Sequence, residues 1–203
     1  MAGLLVAAPH LPGAAGPAGR PEAGRPKAEA CAGCHGPGGR STRPDVPSLA
    51  GQPALYTYLQ LVQFRERRRD DPGMAAVAAV LSDDDMRDLA AYFAAEAPPA
   101  GAEPADPRRA AAGRRVAEAH HCVSCHAPGL TGQDHIPRLV GLSRAYLLRQ
   151  LRGFKAQTRA DIDGSMTTAA RPLSEEDIED VVHFIVSLSP VRRELSPARQ
   201  DRR

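Results

Sequence analysis

The sequence predicts an all-α protein made of two tandem small helical domains. Three observations carry that expectation. Apolar residues recur at helical spacing, no stretch shows a credible strand alternation, and the chain repeats itself with a period near 91 residues. Cys31 corresponds to Cys122, 91 residues on; Pro47-Ser-Leu-Ala-Gly51 corresponds to Pro137-Arg-Leu-Val-Gly141 at an offset of 90; Met74 corresponds to Met166 at 92. The predicted organisation is an N-terminal segment at 1–23, a first domain at 24–97, a Pro-rich linker at 98–107, a second domain at 108–189 and a basic tail at 190–203.

Each repeat reads as three helices joined by loops. The first runs into the cysteine motif, over Pro26–His35 and Ala112–His126, with Pro26 suited to a first helical turn. The second follows a glycine-containing loop, has Pro53 near its start in the first repeat, and ends around Arg68 or Gln157. The third opens on Ser82-Asp-Asp-Asp85 and Ser174-Glu-Glu-Asp177, where a serine N-cap with an acidic residue at N3 forms a capping box. Beyond it Met86, Leu89, Ala90, Phe93 and, in the second repeat, Ile178, Val181, Val182, Ile185 form one apolar stripe each. Met86 is expected in the core.

With 26 basic and 24 acidic residues the formal net charge is +2, without the strongly basic domain that nucleic-acid binding requires. Only four Phe, four Tyr and no Trp serve 203 residues. Each large aromatic buries about 150–250 Å², so something other than side chains is expected to fill these cores.

All four cysteines fall in two copies of one pattern, Cys31-Ala-Gly-Cys34-His35 and Cys122-Val-Ser-Cys125-His126. C-x-x-C-H is the attachment motif for covalent haem c. Residues i, i+3 and i+4 share one face of a helical turn, so two thiols meet the two vinyl groups of one porphyrin while the histidine reaches the iron. A thioredoxin-like pair needs a βαβ pattern that the sequence does not show, and zinc requires no histidine directly after both cysteine pairs. The repeat then selects the sixth ligands. Met74 and Met166 lie 39 and 40 residues after their histidines, each behind a glycine-containing loop that frees the side chain from helical constraint. His35, Met74, His126 and Met166 are thus the expected iron ligands of two covalent haem c groups, a His/Met pairing that raises the reduction potential.

Two C-x-x-C-H domains, each followed by P-x-L-x-G, a tyrosine-containing helix and a glycine-rich loop with methionine, resemble the c4-type diheme cytochromes over residues 24–189. The resemblance implies two class I cytochrome c domains, each a three-to-four-helix fold wrapped around a covalent haem. It also implies that the carbonyls of Pro47 and Pro137 accept a hydrogen bond from the proximal imidazoles. The implied function is a carrier of single electrons between a periplasmic donor, a quinol-oxidising complex or dehydrogenase, and a terminal oxidase or reductase. The alternatives are a bound cytochrome subunit, as in flavocytochrome sulfide dehydrogenase, and a diheme peroxidase, which two methionine ligands disfavour. Lys27 stands where many members have an aromatic residue, which predicts a loosely packed first helix. Ala127 replaces the glycine after the histidine, and Leu142 stands where the first repeat has Gln52.

The expected partners are redox proteins and, at most, membrane redox complexes. No apolar run reaches the ~18 residues of a transmembrane segment, and a monomer or weak oligomer is expected. Ala2–Ala8 has the composition of a secretory h-region remnant, with no Lys or Arg before it and no clear cleavage site after it. The resemblance nonetheless implies periplasmic residence, because c-type haem attachment is an export-side process in this family, with a truncated or misassigned start. The run Arg65-Glu-Arg-Arg-Arg69 reads as a solvated face, with contact of one arginine to a haem propionate or an electron-transfer partner as the alternative, and His183 as a surface or packing residue rather than a ligand.

Overall fold

A computed structural model describes residues 19–99 and 103–189. Most of the predicted N-terminal segment, the centre of the linker and the whole of the basic tail lie outside the described residues. Among those residues there is no strand, only one isolated bridge between Gln133 and Ile136.

The first repeat folds as α1 (Pro21–His35), α2 (Ala54–Arg65), α3 (Pro72–Ala79) and α4 (Asp83–Ala95). The second folds as α5 (Pro107–Ala119), α6 (Cys122–His126), α7 (Arg144–Lys155), α8 (Ser165–Ala170) and α9 (Glu175–Ser187). A short 3-10 turn follows each motif, Pro37–Gly39 and Pro128–Leu130. Both predicted capping boxes form: Ser82 and Asp85 satisfy each other's backbone N–H groups, as do Ser174 and Asp177.

In each half the N-terminal helix crosses the C-terminal one at close range. A Cβ on Gly24 would stand 2.2 Å from the Asp88 carbonyl oxygen, and one on Gly113 1.9 Å from that of Asp180. The glycines let two backbones touch. Arg20 lies 3.6 Å from Asp88, and Arg109 lies 3.5 Å from Asp180, so the same ion pair flanks both crossings.

The expectation of a loose first helix is overturned. The Lys27 ammonium sits 2.7 Å from carboxylate oxygens of both Asp85 and Asp88, and the Arg20 N–H donates to Asp88 at 2.9 Å. Charge complementarity on α4 replaces the missing aromatic.

The second repeat's first helix is broken where continuity was expected. Gly24, Ala28 and Arg20 match Gly113, Ala117 and Arg109 at an offset of 89, whereas the cysteines match at 91. Two extra residues, His120 and His121, lie between, and His121 takes a left-handed φ of 54° that ends α5 and starts α6. The insertion is absorbed locally, and both the helix crossing and the motif keep their places.

Met86 is completely buried with Phe64 and Ala78. The second half has the larger core, in which Leu130, Tyr146, Leu147, Val182 and Ile185 form one continuous cluster. The first half is divided between two smaller clusters around Leu89 with Phe93 and around Phe64 with Met86.

The halves meet at a polar seam. The Gln52 side chain donates to the Arg138 carbonyl at 2.9 Å and accepts from the Arg138 N–H at 3.0 Å. The Tyr56 N–H donates to the Asp134 carbonyl, and the Arg149 guanidinium to the Asp45 carbonyl.

Candidate haem sites

Cys31 and Cys34 lie on the last turns of α1, and Cys122 and Cys125 on α6. None of the four is in a disulfide; Cys34 and Cys125 are exposed, and Cys31 and Cys122 are half-buried. Burial pushes the Cys31 and Cys122 thiols above the ordinary range. Among the described residues no group of three or more His, Cys, Asp and Glu side chains converges as a zinc site would need. The two pairs stay in separate repeats.

His35 and His126 close the two helices and are buried, 7% and 4% exposed. Each is aimed by its own backbone loop. His35 Nδ1 lies 2.8 Å from the Pro47 carbonyl oxygen, and His126 Nδ1 lies 2.9 Å from that of Pro137. A carbonyl can only accept, so each Nδ1 carries the proton and each Nε2 keeps its lone pair. Burial also pushes both imidazoles below their ordinary pKa, against the opposing effect of the proline carbonyl bond. The ring is thereby held neutral, in the tautomer that presents Nε2 to a metal.

The proline carbonyls are themselves positioned. Leu49 and Ala50 N–H groups donate to the Gly39 carbonyl, and Leu139 and Val140 N–H groups to that of Leu130. The P-x-L-x-G segment is pinned beneath the motif in both halves. Its entry needs a backbone turn directly after the histidine: Gly36 has φ 76° and ψ 163°, and Ala127 adopts φ 64° and ψ 164°. That region is essentially glycine territory, so the Ala127 substitution changes strain but not path.

Met74 and Met166 were expected on loops; both sit in the first turn of short helices, α3 and α8. The cause is an aspartate ahead of each. The Met74 N–H donates to Asp71 Oδ1 at 3.0 Å, and the Met166 N–H to Asp161 Oδ2 at 2.7 Å. Unlike Met86, both remain half-buried, and Met74 borders the Phe64–Met86 cluster. Their thioethers are not consumed by core packing.

The arginine run is not simply a solvated face. Arg69 is folded inward and donates to Gln60 at 2.6 Å, to the Tyr146 hydroxyl at 2.9 Å and to Gln150 at 3.2 Å. His183 behaves as a packing residue: its Nδ1 accepts from the Asp106 N–H at 3.0 Å, and its Nε2 lies 2.6 Å from Arg144. Gln52 and Arg69 were missed as organising residues because their partners lie in the other repeat.

Comparison with known proteins agrees with this arrangement. The profile of the family described as Cytochrome c matches residues 22–95 and 110–189. Cytochrome c4 of Thiocapsa roseopersicina is 37% identical over 183 residues, covering 84% of this chain and 94% of the relative. The thiosulfate dehydrogenase electron acceptor of Stutzerimonas stutzeri (strain A1501) is 34% identical, covering 80% of this chain and 81% of the relative. The crystal structure of reduced recombinant cytochrome c4 from Pseudomonas stutzeri superposes with a TM-score of 0.78 at 34% identity, covering 84% of this chain and all of that one. The two-domain helical fold, the paired haem motifs and these relatives together show that this chain belongs to the cytochrome c family, as a diheme electron-transfer protein with two covalent haem c groups rather than an enzyme.

Proposed function

We propose that this chain shuttles single electrons in the periplasm between a quinol-oxidising complex or dehydrogenase and a terminal oxidase or reductase. The observation that carries the reading is the duplicated His–Pro bond, which prepares two neutral imidazoles with Nε2 available. In this reading Cys31 and Cys34 hold one haem by thioethers, with His35 and Met74 as axial ligands. Cys122 and Cys125 hold the other, with His126 and Met166. Haem c supplies a one-electron iron couple. The chain fixes imidazole orientation through Pro47 and Pro137, keeps the histidines from protonating, and offers a soft thioether on the opposite side, which favours the ferrous state. With a histidine and a methionine both committed to each iron, the haems would suit electron transfer and disfavour peroxide cleavage. Residues 24–97 and 108–189 act as the two haem-bearing units.

A dehydrogenase as donor is supported by the relatives named as electron acceptors of thiosulfate dehydrogenase. Among the described residues no helix is long and apolar enough to cross a membrane.

A redox titration followed by absorbance, after haem quantitation, tests the reading. Two haems per chain, both of high potential and both with the sulfur-to-iron charge-transfer band, are expected in protein matured by a competent host. Met166→Ala should lower one potential selectively. Cyanide binding at either haem of the unaltered oxidised protein, without that band, would favour the peroxidase reading.

A further inference from the structure

The loop that delivers the methionine differs between the repeats. Arg69 and Arg159 match at an offset of 90, but Met74 and Met166 match at 92, so the second repeat carries two extra residues between its arginine and its methionine. The first reads Arg69-Asp-Asp-Pro-Gly-Met74 and the second Arg159-Ala-Asp-Ile-Asp-Gly-Ser-Met166. Counted back from the methionine, Asp71 is matched by Asp163. The structure gives the bond to the methionine N–H to Asp161 instead, five residues before Met166.

The change of acceptor changes the hold. Asp161 is half-buried and turns both oxygens to the methionine turn: Oδ2 accepts from the Met166 N–H at 2.7 Å, and Oδ1 from the Thr167 hydroxyl at 3.1 Å. Asp71 is exposed, and among the described residues its carboxylate accepts from the Met74 N–H alone, at 3.0 Å. Ala75 stands where the second repeat has Thr167, so no hydroxyl is offered there. Charged acceptors make the stronger hydrogen bonds, and water competes less for a bond that is partly buried. Relieved of Met166, Asp163 serves the rim of the loop. It accepts from the Ser165 N–H at 3.0 Å and lies 3.8 Å from His135, on the segment that leads to Pro137. Both side chains of that pair are about half exposed, so it adds little.

A methionine leaves iron when the turn that carries it opens locally, and such opening is governed by the bonds the turn must break. In the second half these include both bonds to Asp161; in the first, the one bond to Asp71. We propose that Asp161 is the positioning residue that keeps Met166 on the second iron, and that Met74, held by one exposed bond, is the methionine a competing ligand displaces first. This rests on the ligand assignment proposed above.

Imidazole titration of the oxidised holoprotein tests this. Added imidazole forms a bond to ferric iron as the thioether bond breaks, with no change of oxidation state, and the sulfur-to-iron charge-transfer band is lost. Two steps are expected from the unaltered protein. Met74→Ala should remove the earlier step and leave the later one, which identifies the haems. Asp161→Ala is expected to move the later step to about tenfold lower imidazole, because its hydrogen bonds to a charged acceptor are gone, while the earlier step stays in place. Asp161→Asn keeps one oxygen for the Met166 N–H and should recover part of the difference; it also serves as the test should Asp161→Ala fail to accumulate. Thr167→Val should shift the same step by less, and Asp163→Asn, at the exposed rim, by less than about twofold. A lower thermal midpoint for Asp161→Ala with the later step unmoved overturns the proposal. So does an equal shift of both steps, or a Met74→Ala variant that loses the later step. An unaltered holoprotein without the charge-transfer band at either haem would instead defeat the ligand assignment.

Discussion

Ala127 illustrates how a single residue is accommodated. Gly36 cannot be replaced cheaply, since a Cβ there would stand 2.1 Å from the Arg40 carbonyl oxygen. The second half tolerates alanine at the same φ and ψ at the cost of backbone strain, about 1–3 kcal/mol for a residue so placed. Ala127→Gly is therefore expected to stabilise the second half by about 1 kcal/mol after the unfolded-state entropy of glycine is subtracted, visible as a higher thermal midpoint in the holoprotein. Gly36→Ala should destabilise the first half by more than that gain.

The helices owe their ends to short polar side chains and their packing to the crossings at Gly24 and Gly113. Ser82→Ala or Ser174→Ala removes an N-cap acceptor and should cost about 1 kcal/mol each in denaturant unfolding. The α1–α4 crossing carries a pH dependence. The Lys27 ammonium, with help from the Ser82 cap, holds Asp85 down to about 2, and Lys27 likewise lowers Asp88. A depressed folded-state pKa stabilises above the unfolded value near 3.8 and loses that contribution as pH falls toward the folded one. The first half should therefore lose stability between about pH 4 and pH 2. Lys27→Met should flatten that slope in thermal melts while lowering stability at neutral pH. Lys27 and Asp85 are partly open to water while Asp88 is buried, so high salt should weaken chiefly the Lys27–Asp85 part of the effect.

At the scale of the whole molecule the halves are coupled through hydrogen bonds, both to backbone groups and between side chains such as Arg69 and Tyr146, rather than through a shared apolar core. Gln52 satisfies both the N–H and the C=O of Arg138, and leaving such buried groups unpaired costs about 1–3 kcal/mol. Gln52→Ala is expected to separate calorimetric unfolding into two transitions, with the first half melting earlier because its core is divided into two small clusters. The same accounting bears on the cofactor. With four Phe, four Tyr and no Trp in the chain, each half lacks the flat apolar mass that a domain under about 80 residues needs. Protein matured without haem attachment should show little cooperative unfolding in either half.

The sequence by itself determined the all-helical class, the duplication, both haem motifs and both capping boxes. Each of these is local: a helical face, a cap or a C-x-x-C-H turn is written within a few consecutive residues, and the repeat lets one copy corroborate the other. Tertiary structure alone decided that Lys27 tightens α1 and that Arg69 leaves solvent for the seam. Those outcomes depend on distant residues, Lys27 on Asp88, 61 positions on, and Arg69 on Tyr146, 77 positions on. No periodicity records such pairings. The repeat register does pair Arg69 with Arg159, but only the folded seam brings both to Gln150, because burial and proximity are properties of packing and not of spacing.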